Sequence, residues 1–139
     1  MSSCRLKPGV VKVSEQTLPF TNQVVTAKHE WLADEPEDMG GADQGPAPFE
    51  MVLAGLGACT SMTMRMYAQH KKWPLDKVSV TLLHVKKGAA DGNSDKFIRH
   101  IEIEGDLSDE QRERLLEIAN KCPVHKSLTG ALEIESKLL

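Results

Sequence analysis

The stretch from Gly45 to Trp73, GPAPFEMVLAGLGACTSMTMRMYAQHKKW, constrains the fold of this chain more than any other part of the sequence. Pro46 and Pro48 suit the first turn of a helix, where their missing N–H groups cost no hydrogen bond. The Trp73-Pro74 step ends the helix, because a residue that precedes proline disfavours the helical region. The sequence therefore predicts a central helix from Ala47 to Lys72, roughly 39 Å long at ~1.5 Å per residue.

The first half of this helix carries no polar side chain between Met51 and Ala58. A helix that is apolar on all sides is a buried one, so we expect this half to lie inside the protein. A membrane span is excluded, since the apolar run is shorter than the ~18–20 residues required and Arg65 and His70 follow it. Cys59 comes directly after the run, and we therefore expect it to be a thiol within the central helix.

Composition describes an ordinary globular chain of 139 residues, with 40% hydrophobic and 27% charged residues. It predicts a single domain over residues 1–139. The net charge of −3 and the few aromatic residues offer no binding surface for nucleic acid. The N-terminal residues lack the apolar segment of a secretory signal, so we expect a cytoplasmic protein. The three cysteines, Cys4, Cys59 and Cys122, are then predicted to be thiols and not a disulfide framework; Cys4 is assigned no role.

Strands are predicted on both sides of the central helix from alternating apolar residues and bounding turn signals. They are Val10–Val13, Asn22–Trp31, Lys77–Lys87, Lys96–Gly105 and, at the end of the chain, Ala131–Leu138. The acidic segment Asp34–Gly45 is rich in Gly and Pro and is predicted to be a solvated loop. Gly88–Asp95 is predicted to join two strands as a hairpin, whose apolar face covers the central helix.

Two more helices are predicted after the hairpin. Ser108 and Gln111 fit a capping box, which begins an amphipathic helix that stops before Cys122. Pro123 suits a first helical position, so Cys122 becomes the N-cap of a short helix, Pro123–Thr129. Strands, helix, hairpin, helices and strand follow one another in an order that indicates an α+β fold.

The chemistry of the chain centres on Cys59 and Cys122. Free N–H groups at a helix N-terminus stabilise a thiolate, which favours a reactive thiol at Cys122. The alternative is that Cys122 is only a small capping residue. A thiol in the middle of an apolar helix should have a raised pKa, so Cys59 is inert unless another part of the fold, or a second subunit, supplies a base or cation. Together, one attacking and one resolving thiol are the minimum set for reducing a peroxide. Cys122 with His125 could also form half of a metal site, which is a weak signal without a second ligand pair.

At these residues the sequence resembles the OsmC/Ohr family of thiol-dependent hydroperoxide reductases. The resemblance rests on Pro48, on the small apolar residues that lead to Ala58-Cys59, and on Cys122-Pro123-Val124 at the start of a short helix. The 63 positions between the two cysteines, with a strand pair between them, are also similar to the family. The resemblance extends over roughly Pro46 to Leu139.

The resemblance implies an OsmC-like α+β fold with a long central helix packed on an antiparallel sheet, in an intertwined homodimer. It implies that Cys59 is the peroxidatic thiol and Cys122 the resolving thiol, in defence against oxidative stress. Organic hydroperoxides are the implied substrates, and an external dithiol, such as a reduced lipoyl group, is the implied reductant. No metal or prosthetic cofactor, nucleic acid or membrane partner is implied.

Two further site residues are expected from the family pattern. The reductases carry a glutamate directly after the proline of the helix, where this chain has Phe49, so Glu50 is the acid expected to assist. They also use an arginine from the N-terminal strands, where this chain has none, and His29 is the substitute expected here. The alternative is a binding or redox-sensing module that uses the same dimer cleft for a small apolar or thiol-bearing ligand. A third reading makes both cysteines structural.

Overall fold

A computed structural model describes residues 5–86 and 95–139. Cys4 and all of the predicted hairpin loop except Asp95 lie outside the described residues. The elements are β1 Lys12–Glu15, β2 Asn22–Val25, β3 Glu30–Ala33, α1 Pro48–Lys71, β4 Leu75–Val85, β5 Lys96–Gly105, α2 Asp109–Ala119 and α3 Pro123–Thr129. Helices and antiparallel sheets confirm the predicted α+β class. The chain divides into two compact units, residues 1–52 and 53–139.

The first unit contains a three-stranded antiparallel sheet in the order β1-β2-β3. The prediction of one strand over Asn22–Trp31 is wrong, because the segment folds back on itself as β2 and β3. The Thr26 N–H donates to the His29 carbonyl at 2.8 Å, and the Thr26 hydroxyl accepts the His29 N–H at 3.1 Å. This turn contains neither Gly nor Pro, so the local signals of a hairpin are missing from the sequence.

The segment after β3 is a loop, as predicted, with one turn of 3-10 helix at Glu37–Met39. Its first residue, Asp34, is not solvated as expected but only 2% exposed. The carboxylate accepts hydrogen bonds from the Thr21 hydroxyl at 2.7 Å and from the backbone N–H groups of Glu35 at 2.8 Å and Gln44 at 3.3 Å. Burial raises the pKa of Asp34, but these hydrogen bonds outweigh it and the pKa is lowered overall. Asp34 therefore ties the loop together as a buried carboxylate.

The second unit contains most of α1 and the antiparallel pair β4-β5. The helix begins and ends within one residue of the predicted bounds. Half-buried side chains of Val78, Ile101 and Ile103 pack against the core, so the predicted apolar face of the hairpin is confirmed. The buried core residues are Met64, Ala68, Leu75, Leu115 and Ala119. At Gly57 the helix runs so close to the sheet that an added Cβ would lie 2.8 Å from Cδ1 of Leu82.

The expectation that the first half of α1 is buried all round is wrong for the single chain. The buried residues recur at helical spacing on one side: Leu56, Gly57, Thr60, Met64 and Ala68. Ala54, Gly55 and Ala58 are exposed, and so are Met62 and Met66 further along. The described part of the chain packs against only one side of the helix and leaves an apolar side uncovered.

The two C-terminal helices begin as predicted. The Ser108 hydroxyl accepts the Gln111 N–H at 3.1 Å, and the Gln111 side chain accepts the Ser108 N–H at 2.9 Å, which confirms the capping box. Cys122 is the N-cap of α3, as expected. The prediction of a final strand is wrong, since residues 131–139 form neither helix nor strand. A strand must pair its backbone with a neighbouring edge, and within the described part of the chain no strand pairs with this segment. Among the described residues, no helix is long and apolar enough to span a membrane.

Candidate functional site

Cys59 lies near the middle of α1 and is partly exposed. Its Sγ is 3.9 Å from the hydroxyl oxygen of Thr63, one helical turn further on. The side chain therefore stands at the edge of the buried side of the helix, where another element can approach it.

That element is the start of α3. The backbone N–H of Val124 and the side chain of Cys122 both act on the Cys59 thiol and lower its pKa. Cys122 is fully buried, and both cysteines are free thiols. The Cys122 Sγ also accepts the His125 N–H at 3.3 Å, because Cys122 caps the helix. The fold thus brings together two thiols that are 63 positions apart in the sequence.

The expectation of a raised pKa for Cys59 is wrong. Burial does raise the pKa of the thiol, but hydrogen bonds from Val124, Cys122 and Thr63 outweigh burial, so the pKa lies below its ordinary value. The expectation of an inert Cys59 took account of α1 alone, whereas two of the three stabilising groups, Cys122 and Val124, come from the start of α3. A backbone N–H and a neighbouring thiol stabilise the Cys59 thiolate, a role that was expected of a base or cation. Both groups belong to the same chain as Cys59.

Arg99, on β5, is a site residue that the sequence analysis missed. Its Nη1 donates to the Thr60 hydroxyl at 3.0 Å and to the Ala119 carbonyl at 3.5 Å. Its Nη2 donates to Oδ1 of Asn120 at 2.8 Å. Thr60 follows Cys59 directly, so one guanidinium joins the cysteine-bearing part of α1 to the end of α2.

A sequence signal for Arg99 did exist. Phe97, Ile101 and Ile103 were expected to share the apolar face of β5, and residues two apart on a strand point the same way. Arg99 has the same parity and therefore belongs to that face. A lone cation among inward-facing apolar residues indicates a polar partner inside the fold, and here the partners are Thr60 and Asn120.

His125 is the second polar residue near the thiols. Burial lowers the pKa of its imidazole, and the positive charge of Arg99 lowers it further. The ring is therefore neutral at pH 7. Its backbone holds Cys122, while its side chain faces a cavity of about 420 Å³.

This cavity lies between β5, α2, α3 and one residue of α1. Its wall is largely apolar, and the polar groups are concentrated on a few side chains. The lining residues are Leu56, Asp95, Phe97, Arg99, Ile101, Leu116, Asn120, His125, Leu128 and Thr129. Its volume falls in the ~300–1,000 Å³ range of small-molecule sites.

The two expected helper residues belong to the unit of residues 1–52. The Glu50 carboxylate accepts the Ala47 N–H at 2.9 Å and so caps the start of α1. His29 lies in the exposed turn between β2 and β3. Their roles at the thiols stay predictions. In the described residues, no group of three or more His, Cys, Asp or Glu side chains could hold a metal ion.

The fold and the thiol pair define a class of protein: an α+β chain whose long helix carries a cysteine beside a second cysteine that caps a short helix. The family model of the OsmC-like proteins matches residues 40–137. The chain therefore belongs to the OsmC-like family.

Several solved structures have the same fold. An OsmC-like protein from Mycoplasma pneumoniae has a TM-score of 0.74 at 18% identity, over 90% of this chain and 89% of the other. An organic hydroperoxide resistance protein OsmC from Legionella pneumophila has a TM-score of 0.65 at 22% identity, over 87% and 88%. The organic hydroperoxide resistance protein OhrB of Bacillus subtilis has a TM-score of 0.59 at 19% identity, over 88% and 92%. No curated protein matches the sequence.

Proposed function

We propose that this chain is a cysteine-dependent peroxidase that reduces organic hydroperoxides and serves in defence against peroxide stress. Cys59 is the attacking thiol and Cys122 the resolving thiol. The observation that carries the proposal is that the start of α3, with the Val124 N–H and the Cys122 thiol, lowers the pKa of Cys59. Membership of the OsmC-like family, and similarity in fold to proteins named for hydroperoxide resistance, add support.

The proposed reaction has three steps. The Cys59 thiolate attacks an oxygen of the hydroperoxide; an S–O bond forms, the O–O bond breaks, and the alkoxide takes up a proton and leaves as an alcohol. Cys122 then attacks the sulfur of the resulting sulfenic acid, so that an S–S bond forms and water leaves. An external dithiol, such as a reduced lipoyl group, restores both thiols by exchange and is itself oxidised to a disulfide.

The residues around Cys59 favour the first step. Only the thiolate is nucleophilic, and the Val124 N–H and the Cys122 thiol both stabilise that form. Complete burial of Cys122 suits the second step, because the resolving thiol is shielded from solvent. The chemistry needs no metal or prosthetic group.

We also propose a homodimer in which a second copy covers the uncovered side of α1. Met62 is 65% and Met66 69% exposed, and the final segment exposes Leu132, Ile134 and Leu138. Alternating apolar residues in that final segment fit a strand that pairs with another chain. Glu50 and His29 are retained as helpers of Cys59, and a cytoplasmic location is retained as well.

The experiment compares single variants in a hydroperoxide-consumption assay with a dithiol reductant. Cys59→Ser should abolish turnover, and Cys122→Ser should stop turnover after one equivalent because no internal disulfide can form. Cys4→Ser is the matched control and should remain fully active. Full activity of the Cys59→Ser variant would refute the proposal.

The cavity beside the thiols favours the second candidate, a binding or redox-sensing module for a small apolar or thiol-bearing ligand. The two functions predict different reactivity for Cys59. Catalysis requires a thiol pKa below the ordinary value of about 8.5, and a merely binding role does not. A normal pKa combined with an absence of turnover would favour the binding module.

A further inference from the structure

Among the described residues that line the cavity beside the two thiols, Arg99 is the one with a permanent positive charge, and the wall around it is largely apolar. Among the described residues, the hydrogen-bond partners of its guanidinium are all neutral: a hydroxyl, a backbone carbonyl and a side-chain amide. Within residues 5–86 and 95–139, no carboxylate forms an ion pair with it. The positive charge of Arg99 is therefore not neutralised inside the described protein.

The Arg99 guanidinium also has N–H donors that form no hydrogen bond with the described residues. An arginine has five N–H donors, and the hydrogen bonds to Thr60, Ala119 and Asn120 use three of them. The Nε–H and one Nη2–H remain, which is the number that a bidentate carboxylate takes up. Among the described residues, no buried side-chain nitrogen lacks a partner, so the Nε–H is accessible to solvent.

The rest of the cavity suits an aliphatic chain. Leu56, Phe97, Ile101, Leu116 and Leu128 provide its apolar wall. His125 adds no competing positive charge, because its ring is neutral at pH 7. Among the described residues of the wall, Asp95 is the acidic one, and its carboxylate is 2.9 Å from Nε2 of His84.

We propose that this cavity binds an aliphatic monocarboxylate, with the carboxylate on Arg99 and the chain against the leucine, isoleucine and phenylalanine side chains. The cavity volume of about 420 Å³ is sufficient for a small molecule of this kind. The site is distinct from the thiols, since neither Cys59 nor Cys122 lines it. The proposal concerns binding and holds whether or not the thiols reduce a peroxide.

The probes are octanoate, its neutral analogue octanamide and the short anion acetate. Binding is measured by titration calorimetry at pH 7 on the reduced full chain. Octanoate should bind at least about tenfold more tightly than octanamide, because the charged hydrogen bonds to Arg99 are lost with the amide. Octanoate should also bind at least about tenfold more tightly than acetate, because acetate has no aliphatic chain to bury.

Two variants test the two ends of the cavity separately. Arg99→Met should weaken the binding of octanoate at least about tenfold and leave the affinity for octanamide almost unchanged. Leu128→Asp places a negative charge on a partly exposed side chain of the wall and should weaken octanoate without disturbing the core. Arg112→Met, on the exposed surface of α2, is the matched control and should bind as the wild type does.

Three results would overturn the proposal. They are equal affinity of the wild type for octanoate and octanamide, unchanged octanoate binding in Leu128→Asp, and an equal loss in Arg112→Met. Folding of Arg99→Met is judged by circular dichroism. If it does not fold, two measurements still test the proposal: the affinities of the wild type for octanoate and octanamide, and octanoate binding by Leu128→Asp. A loss of peroxidase activity in Cys59→Ser with unchanged octanoate binding would show that the two sites are independent.

Discussion

Replacing Cys122 by alanine tests how the fold activates Cys59. The substitution removes one of the three side-chain or backbone groups that stabilise the Cys59 thiolate. A hydrogen bond contributes about 1 kcal/mol, and one pKa unit corresponds to about 1.4 kcal/mol. The pKa of Cys59 should therefore rise in Cys122→Ala. Because a thiol with a higher pKa holds its proton at neutral pH, its thiolate fraction should fall by a factor of about three to ten.

Serine at the same position is the matched control. Cys122→Ser keeps a hydroxyl that can donate to Cys59 and a side chain that can accept the His125 N–H. The alanine variant loses both, and loss of an N-cap costs about 0.5–2 kcal/mol of stability. Urea unfolding should therefore show Cys122→Ala to be less stable than Cys122→Ser.

The assay is the rate of alkylation by iodoacetamide as a function of pH, in a Cys4→Ser background where Cys59 is the one remaining cysteine. The midpoint of the rate should lie at lower pH in Cys122→Ser than in Cys122→Ala. Equal midpoints in the two variants would refute the reasoning, because the neighbouring side chain would then have no effect on the Cys59 thiolate.

Two other predictions concern single positions. Leu115→Ala, at a fully buried core residue, should lower the free energy of unfolding by about 2–5 kcal/mol in urea. Leu116→Ala, at its half-exposed neighbour, should cost far less, and equal losses would contradict the assigned core. Glu50→Gln keeps an acceptor for the Ala47 N–H and so should preserve stability. If Glu50 assists Cys59, the same variant should lose hydroperoxide turnover; unchanged turnover would limit Glu50 to capping the helix.

Local signals in the sequence predicted the helices well. Prolines define the start of α1 and α3, and the capping box defines the start of α2, because these residues act through the backbone within three or four positions. The β4-β5 pair followed from alternation. The turn between β2 and β3 has no such residue, and therefore Asn22–Trp31 was mistaken for one strand. The final segment has the alternation of a strand, yet a strand forms only where another edge can pair with it.

The features of the site likewise divide into those set by neighbours in the chain and those set by tertiary contacts. The sequence by itself determined that Cys59 lies in an apolar helix and that Cys122 caps a short one, since both facts depend on neighbours in the chain. The tertiary structure decided that the Val124 N–H and the Cys122 thiol lower the pKa of Cys59, and that Arg99 joins α1 to the end of α2. Hydrogen bonds and pKa shifts depend on distances of a few ångströms between residues far apart in the chain. Such distances arise only when helix and sheet pack together.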